Sequence, residues 1–344
     1  MSCKDWVKFR LTDEPSTDLT EASESFTDHR TQRYSDDALA VFGLDRLRDA
    51  LPPALPSGEV AGTVTDRAAE LTGLRPGTPV VAGLHDVDAA AIGSGCVRPG
   101  DLAVIAGTYS INEIIADGPV PDARWCTRNF IEYGRWLHMA LSPASATNLE
   151  WFVRHLCPDE VAAAEQAGRS PFAFVDGLVR NVPDDPHDVL FLPFLYGSPG
   201  SRDSGAAFAG LHAWHDRAHM LRAVLDGVVF NHRVHIDDLR ERFTVRRTRL
   251  AGGGARAPYW AQLFADVLQL PVEVADIPEA GTLGAAVCAM TGAGWRRTID
   301  EAVEALALPI RSYEPDEARG RRLDDAYGRY RAVVDALADI PAPA

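Results

Sequence analysis

The spacing of apolar positions along this chain predicts alternating strands and helices. Runs of strand length cover residues 79–83, 102–106, 111–115, 130–141, 189–195, 244–250 and 271–274. Helical spacing covers residues 4–11, 36–51, 66–71, 87–92, 148–157, 162–167, 215–242, 259–268, 281–290 and 315–337. Strands that alternate with helices in this way predict an α/β architecture.

The first candidate for chemistry follows the apolar run at 79–83. That run ends in Leu84-His85-Asp86, and the next residues have helical spacing. We expect a buried strand there that presents Asp86 at a helix start, which is a common way to position a general acid or base. An Asp in this position is also a common helix N-cap, and Asp88 is the rival carboxylate.

The second candidate is a hairpin. The runs at 102–106 and 111–115 flank the polar turn Gly107-Thr108-Tyr109-Ser110. Backbone N–H groups and the Thr108 and Ser110 hydroxyls are suited to hold phosphate oxygens, although an ordinary hairpin turn has the same pattern. A carboxylate base beside a phosphate-binding hairpin points to phosphoryl transfer to a hydroxyl.

A third signal is the glycine run 252–254, between the predicted strand 244–250 and the predicted helix 259–268. Glycines at such a junction let a ligand approach the backbone and the helix N-terminus. Alone, this pattern is a general mononucleotide signal and is not specific for ATP.

Composition narrows the class of protein. The 344 residues are 46% apolar and 24% charged, which is typical of a soluble globular chain of one or two domains. A net charge of −15 without a basic stripe argues against nucleic-acid binding. Five dispersed cysteines suggest reduced thiols and a cytoplasmic location. We expect no membrane association, because no apolar run reaches spanning length and no signal peptide is visible.

Four motifs, taken in order, resemble the FGGY family of carbohydrate kinases. They are GLHD at 83–86, AGTYS at 106–110, GGGARAPYWAQLFADVLQLPVEV at 252–274 and GTLGAA at 281–286. The segments KDWVKFRLTDEPSTDLTEAS and LTGLRPGTPVVAG are also similar to that family, so the resemblance spans nearly the whole chain. FLPFLYGSPG and RAVLDGVVFNHRVHIDDLR look most like its L-xylulose, or ketopentose, kinase branch.

The resemblance implies two ribonuclease-H-like (actin-like) domains, with the sugar bound mainly on the first and ATP mainly on the second. It implies Asp86 as the general base, with His85 beside it at the sugar, and Mg²⁺ bridging the β- and γ-phosphates. The implied ATP-binding residues are Gly107 and Thr108 of the second phosphate motif, and Gly253, Gly254, Ala255 and Gln262 in or near the adenosine motif.

One departure from the family concerns its opening D-x-G-T hairpin, which this chain does not contain. We therefore expect most of the N-terminal domain to be absent. Residues 1–78 would be its trailing, mainly helical part, and residues 79–344 the C-terminal nucleotide-binding domain. The apolar faces in 1–78 would then be exposed, or covered by a second copy in a homodimer or by a complementing N-terminal chain. These faces include Trp6, Val7, Phe9, Leu39, Phe42 and Leu47.

The leading hypothesis is an ATP-dependent kinase that phosphorylates a hydroxyl of a small-molecule sugar, a ketopentose such as xylulose. An alternative is a non-catalytic or split half-kinase that binds nucleotide and needs a partner chain for activity. A third interpretation is a sequence that begins inside a full-length kinase.

Overall fold

A seven-stranded mixed sheet organises this computed structural model, which describes residues 2–183, 189–198 and 205–338. The strands are β1 (Thr17–Asp18), β2 (Thr27–Asp28), β3 (Arg33–Tyr34), β4 (Ala54–Leu55), β5 (Val60–Thr63), β6 (Pro79–Val81), β7 (Asp101–Ala106), β8 (Ser110–Ala116), β9 (Cys126–Asn129), β10 (Trp136–Ser142), β11 (Leu190–Leu192), β12 (Ala207–Ala209), β13 (Arg247–Ala251), β14 (Val272–Ala275) and β15 (Ile310–Tyr313). The α-helices are α1 (Cys3–Thr12), α2 (Leu19–Ala22), α3 (Asp36–Val41), α4 (Asp66–Thr72), α5 (Asp86–Gly93), α6 (Ala146–Leu156), α7 (Pro158–Gln166), α8 (Val175–Val179), α9 (Arg217–Arg240), α10 (Pro258–Leu268), α11 (Ala280–Gly292), α12 (Ile299–Ala305) and α13 (Glu317–Ala338). Short 3₁₀ helices cover Asp45–Ala50 and Gly253–Arg256.

The sheet has the order β15-β14-β13-β7-β8-β10-β9. Strands β7, β8, β10 and β9 pair antiparallel in that order, while β13 pairs in parallel with β7 and β14 in parallel with β13. Parallel strands need crossover connections; the one from β7 to β13 contains α6–α9, and the one from β13 to β14 contains α10.

Both faces of the central strand β7 are buried. Leu102 and Val104 pack with residues of α6, α9, α10 and α13 on one face. Ala103, between them in sequence, packs with residues of α5, α11 and α12 on the other face. Because side chains alternate along a strand, an unbroken apolar run is what a strand buried on both faces requires. The α/β architecture predicted from the sequence is confirmed, and so is the β7–β8 hairpin, in which Ala106 pairs with Ser110.

The predicted strand at 79–83 is shorter than expected and is not buried. Strand β6 covers Pro79–Val81 and pairs only with β5, in a separate two-stranded sheet. Pro79 is exposed and the two valines are half-buried. The expectation of a buried strand was wrong because an apolar run does not specify its partner: Val81 packs against Gly292 of α11 instead of entering the large sheet.

Three other predicted elements are broken in the structure. The helix expected at 36–51 divides into α3 and a 3₁₀ helix, because Gly43 adopts φ +66° between them. The strand expected at 130–141 begins only at Trp136, after a turn in which Gly134 has φ +84°. The strand expected at 189–195 is limited to Leu190–Leu192, and residues 199–201 of the loop after it lie outside the described residues.

Helix α1 buries its polar face. Asp5, Lys8 and Thr12 are buried, whereas the side chains of Trp6 and Val7 are 52% and 57% exposed. Lys8 Nζ donates to Asp5 Oδ1 and to the Ala82 carbonyl oxygen, both at 3.1 Å. The polar face is therefore fixed to the segment that leads to α5, and the apolar face is left towards solvent.

All five cysteines lie in the described ranges and none forms a disulfide: Cys3 and Cys126 are exposed, and Cys96, Cys157 and Cys288 are buried. Among the helices that the structure describes, none combines the length and apolar character needed to cross a bilayer.

Candidate active site

A cavity of about 700 Å³ opens beside the turn of the β7–β8 hairpin. Gly107 and Thr108 lie on one of its walls, and Gly253 and Gly254 lie on another. Two motifs that are far apart in sequence thus meet at one space, because the parallel pairing of β13 with β7 places both following turns at the same sheet edge.

The glycines of the second wall have different local requirements. Gly252 has φ +93°, and a Cβ there would lie 2.6 Å from the Ala106 carbonyl oxygen. A Cβ on Gly254 would lie 2.5 Å from the Trp260 ring. By contrast, a Cβ on Gly253 would meet nothing within 4 Å. Gly252 and Gly254 are therefore required by the local packing, while Gly253 faces open space that a ligand can use.

The start of α6 supports the hairpin turn. The Ala146 N–H donates to the Gly107 carbonyl oxygen at 2.9 Å. Thr147 Oγ1 donates to the Thr108 carbonyl oxygen at 3.3 Å. Both Ala146 and Thr147 also line the cavity, so the N-terminus of an 11-residue helix lies at its edge. Such a terminus favours negatively charged groups.

Two of the predicted ATP-binding residues, Ala255 and Gln262, do not line this cavity. Ala255 is buried and lines a second cavity of about 560 Å³, which shares Gly253 with the first. Gln262 Nε2 donates to Asp266 Oδ1 and to the Glu314 carbonyl oxygen, both at 2.8 Å, so its amide is already engaged.

Sequence reasoning missed most of the remaining wall. It consists of Ala146, Thr147, Leu149, Glu150, Ser170, Phe172, Ala173, Val175, Asp176, Leu225, Ala257, Pro258 and Trp260. The α6 residues were accessible to prediction, because a helix that follows β10 starts beside the hairpin once β10 pairs with β8. Residues 170–176 carry no regular pattern that marks them as a wall.

Asp86 is the first residue of α5, and its side chain is 89% exposed. Its Oδ1 accepts the Val87 N–H at 2.8 Å and lies 3.2 Å from His85 Nδ1. The His85 N–H in turn donates to Thr20 Oγ1 at 2.7 Å. An accessible carboxylate on a fixed backbone is what a general base needs, although neither His85 nor Asp86 lines the 700 Å³ cavity.

Asp88 differs from Asp86 in its surroundings. It is fully buried, with Oδ2 3.2 Å from Arg128 Nη2 and 3.8 Å from His85 Nδ1. Burial raises the pKa of the Asp88 carboxyl and outweighs the opposing effect of Arg128. A buried, paired carboxylate cannot reach a substrate hydroxyl, so access favours Asp86 over its rival.

Glu113 of β8 is a second buried acid that the sequence did not single out. It is fully buried, and neither carboxyl oxygen has a hydrogen-bond partner among the described residues. Burial, together with the charge on Asp88, raises the pKa of Glu113 to about 8. Glu113 is therefore protonated and uncharged at neutral pH.

The strand order β10-β8-β7-β13-β14, with β8 antiparallel to its neighbours, defines the fold as ribonuclease-H-like, the fold of actin-like ATPases. The sequence model for the FGGY family of carbohydrate kinases, C-terminal domain, matches residues 102–293, and the model for the N-terminal domain of the same family matches residues 1–93. This chain belongs to the FGGY family of carbohydrate kinases. Because residues 1–93 match the N-terminal domain, the expectation that most of that domain is absent is not supported.

Several relatives have known names. L-xylulose/3-keto-L-gulonate kinase of Escherichia coli K12 is 34% identical over 342 residues, which cover 98% of this chain and 66% of that protein. Autoinducer-2 kinase of the same strain is 28% identical, over 96% of this chain and 63% of its own length. The crystal structure of xylulose kinase from Rhodospirillum rubrum is 29% identical, with a TM-score of 0.83 over 97% of this chain and 66% of that one. The chain thus spans about 66% of the length of its curated relatives.

Proposed function

We propose that this chain acts as an ATP-dependent carbohydrate kinase that phosphorylates a hydroxyl of a ketopentose such as xylulose. The observation that supports this most directly is the cavity between Gly107-Thr108 and Gly253-Gly254. A space walled by backbone, at the ends of parallel strands and beside a helix N-terminus, suits the phosphates and the nucleoside of ATP.

In this proposal Asp86 is the general base. The carboxylate takes the proton of the sugar hydroxyl while the hydroxyl oxygen bonds to the γ-phosphorus. The bond from that phosphorus to the β–γ bridging oxygen breaks, and ADP leaves with the electron pair. His85, 3.2 Å from the same carboxylate, belongs to the sugar side of the site.

We include Mg²⁺ in the proposal because the resemblance to the FGGY family implies it. It would neutralise phosphate charge during transfer. Within residues 2–183, 189–198 and 205–338, no group of three or more His, Cys, Asp or Glu side chains is arranged to hold a metal. In nucleotide-dependent enzymes Mg²⁺ usually keeps several waters and is held by one or two carboxylates and the substrate phosphates.

The sugar is proposed from the relatives. The names of the 34% identical Escherichia coli protein and the 29% identical Rhodospirillum rubrum structure both contain xylulose. We therefore expect L-xylulose or a related ketopentose to be the preferred acceptor. The test is ADP formation by the full chain with ATP, Mg²⁺ and a panel of ketopentoses, aldopentoses and polyols. The proposal is supported if the wild-type chain turns over one ketopentose and the Asp86→Asn variant does not. ADP binding without turnover for any sugar contradicts it.

We further propose that a second copy of the chain covers apolar side chains that are exposed on residues 2–78. Of the six apolar residues named from the sequence, Leu39 is buried and Phe9 is half-buried, whereas the other four are exposed: Trp6, Val7, Phe42 and Leu47. Val41, Leu71 and Leu74 are exposed as well, and together these side chains support the proposal. Sedimentation across a concentration series should show association of the isolated chain. Replacing Trp6 and Val7 with Ser should weaken it, and a wild-type monomer at every concentration contradicts this part of the proposal.

A further inference from the structure

A buried chain of hydrogen bonds runs behind the cavity from β8 through α9 to the start of α6. Asn112, Ser145 and His232 are fully buried. His232 Nδ1 lies 2.8 Å from Asn112 Oδ1, and His232 Nε2 lies 3.2 Å from Ser145 Oγ. Asn112 Nδ2 lies 3.3 Å from both Ser110 Oγ and the Ala140 carbonyl oxygen. The chain of bonds therefore joins the hairpin to the helix that supports it.

The donor and the acceptor of each hydrogen bond in this chain can be assigned in one consistent way. The Ala140 carbonyl oxygen can only accept, so Asn112 presents its NH₂ group there and its carbonyl oxygen to His232. His232 Nδ1–H then donates to Asn112, and Nε2 accepts the Ser145 hydroxyl proton. This arrangement needs a neutral imidazole, and burial supplies it by lowering the pKa of His232 to about 3.

The same ring also contacts α10, the helix whose Trp260 lines the cavity. His232 packs edge-on against Phe264 of α10, with ring centroids 5.1 Å apart. Phe264 packs against Trp260 at 6.1 Å, and the Trp260 ring fills the space that a Cβ on Gly254 would need. On the other side, Ser145 directly precedes Ala146, whose N–H holds Gly107. One side chain on α9 thus reaches the hairpin, α6 and α10.

We propose that His232 is a positioning residue that fixes three parts of the cavity wall relative to one another, without touching the nucleotide itself. These parts are the β7–β8 turn, the start of α6, and Gly254 with Trp260 of α10. The identity of the ligand rests on the proposed function, whereas the positioning does not. His232→Phe keeps an aromatic ring for Phe264 but leaves Asn112 and Ser145 without their buried partner.

The experiment compares hydrogen–deuterium exchange of the full-length, ligand-free chain in wild type and His232→Phe. We expect exchange to accelerate roughly 3- to 30-fold in the segments 104–112 and 143–150, which is the usual size of coupling through residues outside a ligand's contacts. ADP affinity, measured by calorimetry, should weaken by a similar factor of roughly 3 to 30.

His138→Phe is the matched control. His138 is also fully buried in the same sheet, where its Nε2 accepts the Val120 N–H at 2.9 Å and its ring packs on Phe243 at 4.5 Å. It pairs with Ile114, several positions from the turn. This variant should lower stability but leave exchange in both segments and ADP affinity at wild-type values.

Ser145→Ala is the second variant, which decides the matter if His232→Phe does not fold. It removes only the hydroxyl that donates to Nε2, and we expect faster exchange in the same two segments. Combined with His232→Phe, it should add little, because both changes break one chain. Wild-type exchange in the folded variants, or equal acceleration in His138→Phe, would overturn the inference. Failure of the wild-type chain to bind ADP would count against the proposed function instead.

Discussion

At the scale of single residues, Asp86 and Asp88 show that a step of two residues along one helix separates an exposed carboxylate from a buried one. Both carboxylates lie in the first turn of α5, but the Asp86 side chain is 89% exposed and that of Asp88 is 0% exposed. Asp88 is engaged with Arg128, which holds this end of the helix against β9. The two acids should therefore respond to the same substitution in opposite ways.

We expect Asp86→Asn to reduce phosphoryl transfer by about 10²–10⁴-fold, because an amide cannot take the hydroxyl proton. ADP affinity and the free energy of unfolding should stay close to wild type. Asp88→Asn should instead lower stability and leave turnover per folded molecule largely intact. Coupled assays of ADP formation, calorimetry and urea unfolding measure the three quantities. If Asp88→Asn loses most of its turnover while Asp86→Asn stays nearly normal, Asp88 and not Asp86 is the general base.

Gly253→Val tests the nucleotide cavity. The backbone of Gly253 is outside the left-handed region and its Cβ would meet nothing, so the variant should fold normally. A branched side chain in that space should weaken ADP binding at least about tenfold, or about 1.4 kcal/mol. The control is Gly252→Ala, which should lose about 1–3 kcal/mol of stability because of its φ of +93° and the nearby Ala106 carbonyl. Wild-type ADP affinity in folded Gly253→Val would remove this wall from the site.

The parts of the site that consist of short, contiguous segments could be predicted from the sequence. Gly107-Thr108 and Gly252–Gly254 were recognisable because turn glycines between regular elements form short, contiguous patterns. Glu113 and His232 were not, since a lone acid in a strand or a histidine in a helix gains its environment only when distant elements pack around it. Whether Ala255 and Gln262 contact the nucleotide stays a prediction.

At the scale of elements, the contact between α9 and β11 depends on one glycine. Gly227 lies within the 24-residue helix α9, where glycine is intrinsically unfavourable. A Cβ there would lie 2.1 Å from the Phe191 carbonyl oxygen. The helix thus gives up intrinsic stability so that β11 can approach its backbone.

We expect Gly227→Ala to lower the free energy of unfolding by about 1–3 kcal/mol, because the methyl group must displace β11 or the helix. Gly328→Ala in α13 is the matched control. It is exposed, its Cβ would meet nothing within 4 Å, and the change should stabilise by about 0.5–1 kcal/mol. Urea unfolding of both variants decides the point. Equal effects of the two substitutions would show that the close approach has no energetic consequence.

Element boundaries followed the sequence where the apolar pattern was long. The periodic stripe predicted a helix over 215–242 and the structure has Arg217–Arg240, whose start is fixed by Asp216 accepting the N–H groups of Ala218 and His219. The pattern was misleading for α1, whose apolar side chains Trp6 and Val7 face solvent. There the ion pair of Lys8 with Asp5 decides the orientation, and no periodicity reveals such a pair in advance.

At the scale of the whole molecule, buried titratable groups of two kinds set the pH dependence of stability. Burial lowers the pKa of His138 and His235 to about 4 and of His232 to about 3. Burial raises the pKa of Asp88, and that of Glu113 to about 8. Burial therefore favours the uncharged form of each of these groups in the folded state: the histidines release their protons more readily than in the unfolded chain, and the two carboxyls hold theirs to higher pH.

These shifts predict a stability maximum near pH 6.5. Below it, the unfolded chain takes up protons that the three folded histidines refuse, so stability falls as pH drops towards 4, partly offset by the two carboxyls. Above it, Glu113 holds a proton that the unfolded chain has released, so stability declines as pH rises through about 8. Each histidine contributes at most about 1.4 kcal/mol per pH unit.

Urea unfolding between pH 4 and 9 tests this profile. Glu113→Gln, a neutral side chain of the same shape, should flatten the decline between pH 6.5 and 8. It should also steepen the fall in stability below pH 6.5, because the offset that Glu113 supplies there is lost. A wild-type protein that gains stability from pH 7 to 8.5, or a Glu113→Gln variant with the same alkaline decline, contradicts the assigned role of Glu113.

The five cysteines can report on local unfolding, because two thiols are exposed and three are buried in different parts of the fold. Only the thiols of Cys3 and Cys126 face solvent, so a maleimide added to the native protein should attach at two positions and to the unfolded protein at five. The three protected thiols report on different regions: Cys96 just beyond α5, Cys157 at the junction of α6 and α7, and Cys288 within α11. The order in which they gain mass in mild denaturant should reveal which part of the molecule opens first.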